Sequence, residues 1–582
     1  MNTKKSPRFS QKTIIFDKKR RFCLCIWRFQ VKSDRLLAAG NAGNIGVTAT
    51  GKLRIVNGGE ISSDSFSLGH AGTINVSADS IAIDSQESSG ITGIYSQVEG
   101  YGNAGNVEVA STGVISIVRG GKIASVNIYD GSAGKVNVSA GSIDIDRQGS
   151  SSTTGIFSLA NSYSGHAGNV QITSTGALSI VRGGKIATSN VYSGDAGMVK
   201  ISAASITVDG QGTSSSTGIY SEVEGDGNFG NAGNVEIVST GTLFLGSGGK
   251  IVSSSLFGDA GAIKVSSGSI AIDRQQSSSI TGIISLAAKD TGNIDISTTG
   301  NLSLVNGSVI YSTATTGTTG SIKVSAASID IDNLESGNPN GIISRSAGNA
   351  GRIEIRATGN LSFVNGGVIS SSASSTGNAG DIKVSAENID IDNQGSSKLT
   401  GVFSDSNPGS SGNAGNIEVT TAGALSMANG GAISSSTLAA GDAGKINVSA
   451  RSIAIDGHAA SSLTGIRSLA SIGSTGNAGN IAVTATGSLS IIDGGVIISD
   501  NFSSSGNAGT IKVNAGSIAI DSLGHSGATG IFSQTHAGIG KAGSIDVSAA
   551  ENVSIFNGGL ISSSTFALDV QVFKIAFPEL AL

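Results

Sequence analysis

Eight aspartates recur at one position of a repeating unit: Asp84, Asp146, Asp209, Asp273, Asp332, Asp392, Asp456 and Asp521. Each lies 12 residues after a glycine that opens an alternating apolar run. A repeated carboxylate suggests calcium, a hard cation that takes oxygen ligands at about 2.3–2.6 Å. The spacing argues against it. Successive copies are separated by a whole intervening run of the repeat, roughly 9.6 Å if runs stack as strands, too far for one ion to bridge. The Gly-Gly-x-Gly-x-Asp pattern of calcium-binding β-rolls is also missing. An aspartate before a Gly/Ser turn bonds its own backbone, and turn formation is the expected role here.

Other chemistry finds less support. The five histidines are scattered. His70 and His166 replace the Asn of a Gly-Asn-Ala-Gly corner, while His458, His525 and His536 fall in loops. Serine is abundant, but a nucleophile needs a neighbouring base, and none recurs. No Ser-His-Asp spacing, His-Glu-x-x-His or phosphate loop is present. The acids follow the repeat rather than gathering on adjacent runs, so the chain is expected not to be an enzyme. No catalytic, cofactor-binding or metal-ligating residue is assigned, and no cofactor. Ser/Thr runs such as Ile561-Ser562-Ser563-Ser564-Thr565 are expected to form a low-charge, soluble exterior rather than an ice-ordering face.

The glycines explain why the acids keep step. Openings fall at Gly43, 72, 105, 134, 168, 197, 233, 261, 292, 320, 351, 380, 415, 444, 479, 509 and 543. The two kinds alternate, giving a paired unit of 59–65 residues. A fixed period of this size marks a solenoid. Each half holds three short period-2 runs, as in Ile353-Glu354-Ile355, Leu361-Ser362-Phe363 and Val368-Ile369-Ser370. Rich in β-branched residues and bounded by Gly, Asn and Ser, they read as strands. Three strands per half bury their alternate side chains only by stacking turn on turn. The expected fold is an all-β, three-sheet parallel β-helix of about 17 turns in two alternating types. At about 4.8 Å per turn, that is a rod of roughly 80 Å.

Within even turns, the opening glycine lies 21 residues before a third-strand glycine: Gly93, Gly155, Gly218, Gly282, Gly341, Gly401, Gly465 and Gly530. The return to the next unit varies between 10 and 15 residues, which marks it as the exposed, variable loop. Odd turns end their second strand in Asn-Gly-Gly, as at Asn57, Asn365, Asn429 and Asn557, residues that tolerate the left-handed backbone of a tight corner. Three residues past the opening, odd turns carry Glu236, Asp295, Glu354 and Glu418 and even turns Lys264, Lys323 and Lys383. In-register stacking would set Glu236 beside Lys264 and Glu354 beside Lys383, about 0.2–1 kcal/mol per pair. Pro339 and Pro408 are expected outside strands, where a missing N–H costs nothing.

Composition bounds the rest. Gly is 86 of 582 residues and Pro only 4, which excludes collagen. Charged residues are 13% at a mean hydropathy of +0.14, so the chain has enough apolar surface for a core. Residues 1–39 hold 11 Lys/Arg against Asp17 and Asp34, net +9. The whole chain is −5, which leaves −14 for the remainder. An acidic repeat array has no footprint for nucleic acid. Cys23 and Cys25, the only cysteines, sit in the basic segment. No apolar stretch approaches a membrane span, and the run Phe22–Trp27 is short for a signal peptide.

The run Asn413-Ala414-Gly415-Asn416-Ile417-Glu418-Val419, followed by Gly423-Ala424-Leu425-Ser426 and Asn429-Gly430-Gly431, resembles the repeats of filamentous-haemagglutinin-like exoproteins. These are the exported partners of two-partner secretion in Gram-negative bacteria. The resemblance spans residues 40–566 and implies a right-handed β-helix, an outer-membrane transporter as partner, and a secreted or cell-surface location. It implies a role in adhesion or aggregation, with the ligand unspecified. The family's Asn-Pro-Asn-Gly-Ile secretion motif has a match at Asn338-Pro339-Asn340-Gly341-Ile342, but there it falls in register with the third-strand Gly-Ile steps. It reads as a repeat variant. The basic segment 1–39 is expected to be disordered or foreign to the array, and 567–582 to be a divergent cap or truncation. The alternatives to an adhesin are a β-helical polysaccharide lyase or glycoside hydrolase, and a truncated, non-exported remnant.

Overall fold

Alternation of apolar and polar residues becomes strand at every run of the repeat. The computed structural model describes residues 40–566 and the backbone of Lys12–Phe16, leaving out 87, 162–163, 214, 226–229, 276, 335–339, 459, 461, 503–504, 525–526 and 537–538. No helix occurs among the described residues, so none is long and apolar enough to cross a membrane. The odd turn opened by Gly351 has strands Ile353–Ala357, Asn360–Val364 and Gly367–Ala373. The even turn after it has Ile382–Ala386, Asn388–Asp392 and Thr400–Ser406. Each strand pairs in parallel with its counterpart: Ile353 with Ile382, Leu361 with Ile389, Ile369 with Val402. This is a parallel β-helix.

The chain divides into two compact units, residues 1–269 with 277–292 and residues 270–276 with 293–582. Eight third strands belong to the first unit and nine to the second. In the second, Ile481–Ile492 and Ile511–Asp521 run unbroken through the first and second ranks, merging them into one sheet. The third rank forms a sheet of its own, and the corner before it turns on left-handed backbone. Asn365 (φ 52°) and Gly366 (φ 94°) both take left-handed backbone there, and Asn57, Asn429 and Asn557 do the same. The expected corner chemistry is observed.

Inward side chains form columns of Ile, Val, Leu and Phe. Ile353, Leu361, Phe363 and Ile369 are fully buried. The opening glycines set the stacking distance. A Cβ on Gly134 would lie 2.3 Å from the Gly105 carbonyl oxygen, and one on Gly105 would lie 2.2 Å from that of Gly72. Only a residue without Cβ admits this approach.

The third-strand serines correct the sequence reading. Ser96, Ser125, Ser158, Ser371, Ser435 and Ser499 are buried. Ser158 Oγ donates to the Gly134 carbonyl (2.9 Å) and accepts the Gly168 N–H (2.8 Å), joining consecutive opening glycines. Ser435 does the same between Gly415 and Gly444. These hydroxyls satisfy backbone groups of the glycine corners. They are not an exterior, whereas in the run 561–565 Ser563 and Thr565 are exposed as expected.

The charge ladder has the expected register, Glu236 beside Lys264 and Glu354 beside Lys383. The closed pairs use the other neighbour in each case: Lys200 Nζ to Glu236 (3.0 Å) and Lys383 Nζ to Glu418 (2.8 Å). Pro408 lies outside its strand as expected, and Pro339 is outside the described residues. Asn340-Gly341-Ile342 sits in a third strand, with Gly341 (φ 142°) matching Gly155 (φ 147°). Lys12–Phe16 pair in parallel with Ile45–Ala49. The expectations for the rest of 1–39, its cysteines and 567–582 fall outside the described residues.

Candidate functional site

All eight repeated aspartates fold back on their own turn. Each Oδ1 accepts the N–H of the residue two positions on, from Gln86 (3.1 Å) and Gln148 (3.0 Å) through Gln211, Gln275, Leu334 and Gln394 to His458 (3.0 Å) and Leu523 (3.0 Å). Turn formation was the expected role. Unexpected is the second contact, made to the corner residue of the following odd turn. Arg119 Nε donates to Asp84 (2.9 Å) while its Nη2 takes the other oxygen, and Arg182 holds Asp146 in the same way. Where the corner residue is Asn, its amide donates instead: Asn306 to Asp273 (2.8 Å), Asn365 to Asp332 (3.0 Å), Asn429 to Asp392 (2.8 Å) and Asn557 to Asp521 (2.8 Å).

At two levels the corner residue is neither Arg nor Asn: Ser247 stands at the corner following Asp209, and the other level brings in a second acid. Opposite Asp456 the corner residue is Asp493, and the residue two after Asp456 is His458, where five sister turns have Gln. One ligand atom from each of Asp456, His458 and Asp493 lies within 4.8 Å of the others. The distance from one repeated Asp to the next leaves out the odd-turn corner between them, where Asp493 stands in an Asn-Gly-Gly position.

The histidines in the glycine corners act as their Asn counterparts do. His70 Nδ1 accepts the Asn103 N–H (2.8 Å) and His166 Nδ1 that of Asp195 (3.0 Å), just as Asn103 Oδ1 accepts from Ser132 (2.9 Å). His536 does more than sit in a loop. It stacks between Phe502 (4.2 Å) and Phe566 (5.1 Å) and meets Asp500 at 3.2 Å.

In the first unit, the outer face of the first strands forms an open groove of about 460 Å³, its surface more apolar than polar. Asn75, Glu108, Asn137 and Gln171 stand in one in-register row along it, with Thr48 and Ser139 beside them. All are exposed donors or acceptors. A smaller groove of about 250 Å³ in the second unit is lined by Arg352, Lys383 and Glu418 among others.

The most strongly shifted titratable groups lie elsewhere, on third strands. Burial pushes the Glu222 carboxyl up to about 8, reinforced by the charge and hydrogen bond of Glu224 and opposed by Lys185 and Lys250. Burial, then Glu222, raises Tyr220. In the second unit burial raises Asp405 to about 7 and lowers Arg467 to about 10, each opposed by the charge of the other. None of these groups lines either groove. No family model, curated protein or solved structure matches the chain.

Proposed function

We propose that the chain is a non-enzymatic exoprotein, secreted or surface-attached, that presents the face and loops of its β-helix for adhesion or aggregation. The observation that carries this is the separation of the groove from the acid–base pairs. The groove of the first unit offers amides, hydroxyls and a single carboxylate, Glu108, a set suited to hydrogen-bonding a ligand. A general acid or base must reach the proton it moves within about 2.6–3.2 Å, and the shifted carboxyls do not line the groove. The resemblance to haemagglutinin-like repeats adds an outer-membrane transporter as the export partner and a cell-surface location.

The test is binding of the labelled chain to bacterial and host cell surfaces. Asn75→Ala/Asn137→Ala/Gln171→Ala should reduce it without loss of fold, and undiminished binding would remove the groove from the reading. A β-helical polysaccharide lyase or hydrolase is the second reading, favoured by the Glu222–Glu224 pair. Turnover of a soluble polysaccharide that Glu222→Gln abolishes would establish it over the first.

A further inference from the structure

We infer that Asp456, His458 and Asp493 form a divalent transition-metal site, of the kind that takes Zn²⁺. The repeat supplies the internal control. At six of the other levels the Asp carboxylate receives an amide or guanidinium donor from the turn above. At this level alone the donor is exchanged for a second carboxylate, and the same turn gains an imidazole. Two carboxylates this close repel unless something positive lies between them. Among the described residues no Lys or Arg pairs with either.

The donor set points to the class of ion. Imidazole suits zinc, copper, iron and nickel, whereas calcium and magnesium take oxygen alone. Zinc binds His nitrogen and carboxylate oxygen at about 2.0–2.2 Å, so two of its ligands stand at most about 4.4 Å apart. The observed 4.8 Å limit closes to that by small side-chain rotations. His458 is exposed and both carboxylates are half-buried, so such rotations are open to them. Three protein ligands leave a fourth position to water. The backbone already holds part of the site in place, since the His458 N–H is fixed on Asp456 Oδ1 and His458 takes left-handed backbone (φ 40°).

The experiment is calorimetric titration of the chelator-stripped full chain with Zn²⁺, alongside Asp493→Asn and His458→Gln. Both variants restore the residue that sister turns carry, so both should fold. Cys23 and Cys25 are common to all three chains and cancel in the comparison. Each variant should weaken the affected site at least about ten-fold, since loss of even an outer-shell partner costs that much. The thermal midpoint of the wild type should rise with Zn²⁺ more than that of Asp493→Asn. Affinity and midpoint shift unchanged in both variants would overturn the site. So would a Ca²⁺ response equal to that of Zn²⁺ and indifferent to His458→Gln.

Discussion

Arg119 reaches back one turn to hold both carboxylate oxygens of Asp84, whose Oδ1 also accepts the N–H of Gln86. One carboxylate thus closes its own turn and ties it to the next. The pair is partly exposed, the Arg119 side chain 36% and that of Asp84 17%. Arg119→Ala should cost about 1–2 kcal/mol by urea denaturation, the range for a partly buried charge-assisted bond. Arg119→Asn should recover most of that, because Asn makes the same contact at Asn429.

The opening glycines should be far less replaceable than a glycine in open space such as Gly51. Gly134→Ala puts a Cβ 2.3 Å from a backbone carbonyl oxygen, where neither group has a flexible end to give. A loss above about 3 kcal/mol is expected, in the range of severe overpacking. Gly51 meets nothing within 4 Å and has no left-handed φ, so Gly51→Ala should be neutral or slightly stabilising. Equal effects in circular-dichroism melts would contradict this account of the period.

Ser158→Ala removes a hydroxyl that serves both the Gly134 carbonyl and the Gly168 N–H. Two backbone groups then lose their partner, a cost of about 2–3 kcal/mol. An exterior serine would cost less than about 0.5 kcal/mol.

The sequence showed the fold through spacing, because period-2 runs and a fixed glycine interval admit little besides stacked strands. The left-handed corner at Asn365 and the turn at Asp392 were equally legible, since Asn, Gly and Asp act on their own backbone. The missed features are contacts between turns. Buried Ser158 is indistinguishable in type from an exposed serine, and only the narrow corner decides which it is. Asp493 looks like a routine variant of Asn until Asp456 is placed against it.

Glu222 should make stability fall as pH rises. Its folded-state affinity for a proton lies at about 8, above the ordinary 4.5, so its contribution is fully present below the lower value and lost as pH passes the upper. The urea midpoint should drop between about pH 5 and pH 9, equivalent to a few kcal/mol at most at about 1.4 kcal/mol per unit. Asp405 adds a fall in the same direction, complete by about pH 8. Glu222→Gln should flatten the upper part of the curve. An unchanged curve would place the carboxyl in water.

The central claim is that six of the repeated carboxylates hold turns together, whereas Asp456 faces a second carboxylate. The most direct measurement compares Asp392→Ala with Asp456→Ala by urea denaturation in metal-free buffer. Both lose the bond to the residue two positions on, but only Asp392 also loses an amide donor from the next turn, Asn429. Asp456→Ala instead removes a repulsion with Asp493. The predicted result is that Asp392→Ala is the more destabilising by about 1 kcal/mol, with cell-surface binding retained in both. Equal losses, or a larger loss at Asp456 without metal, would contradict it.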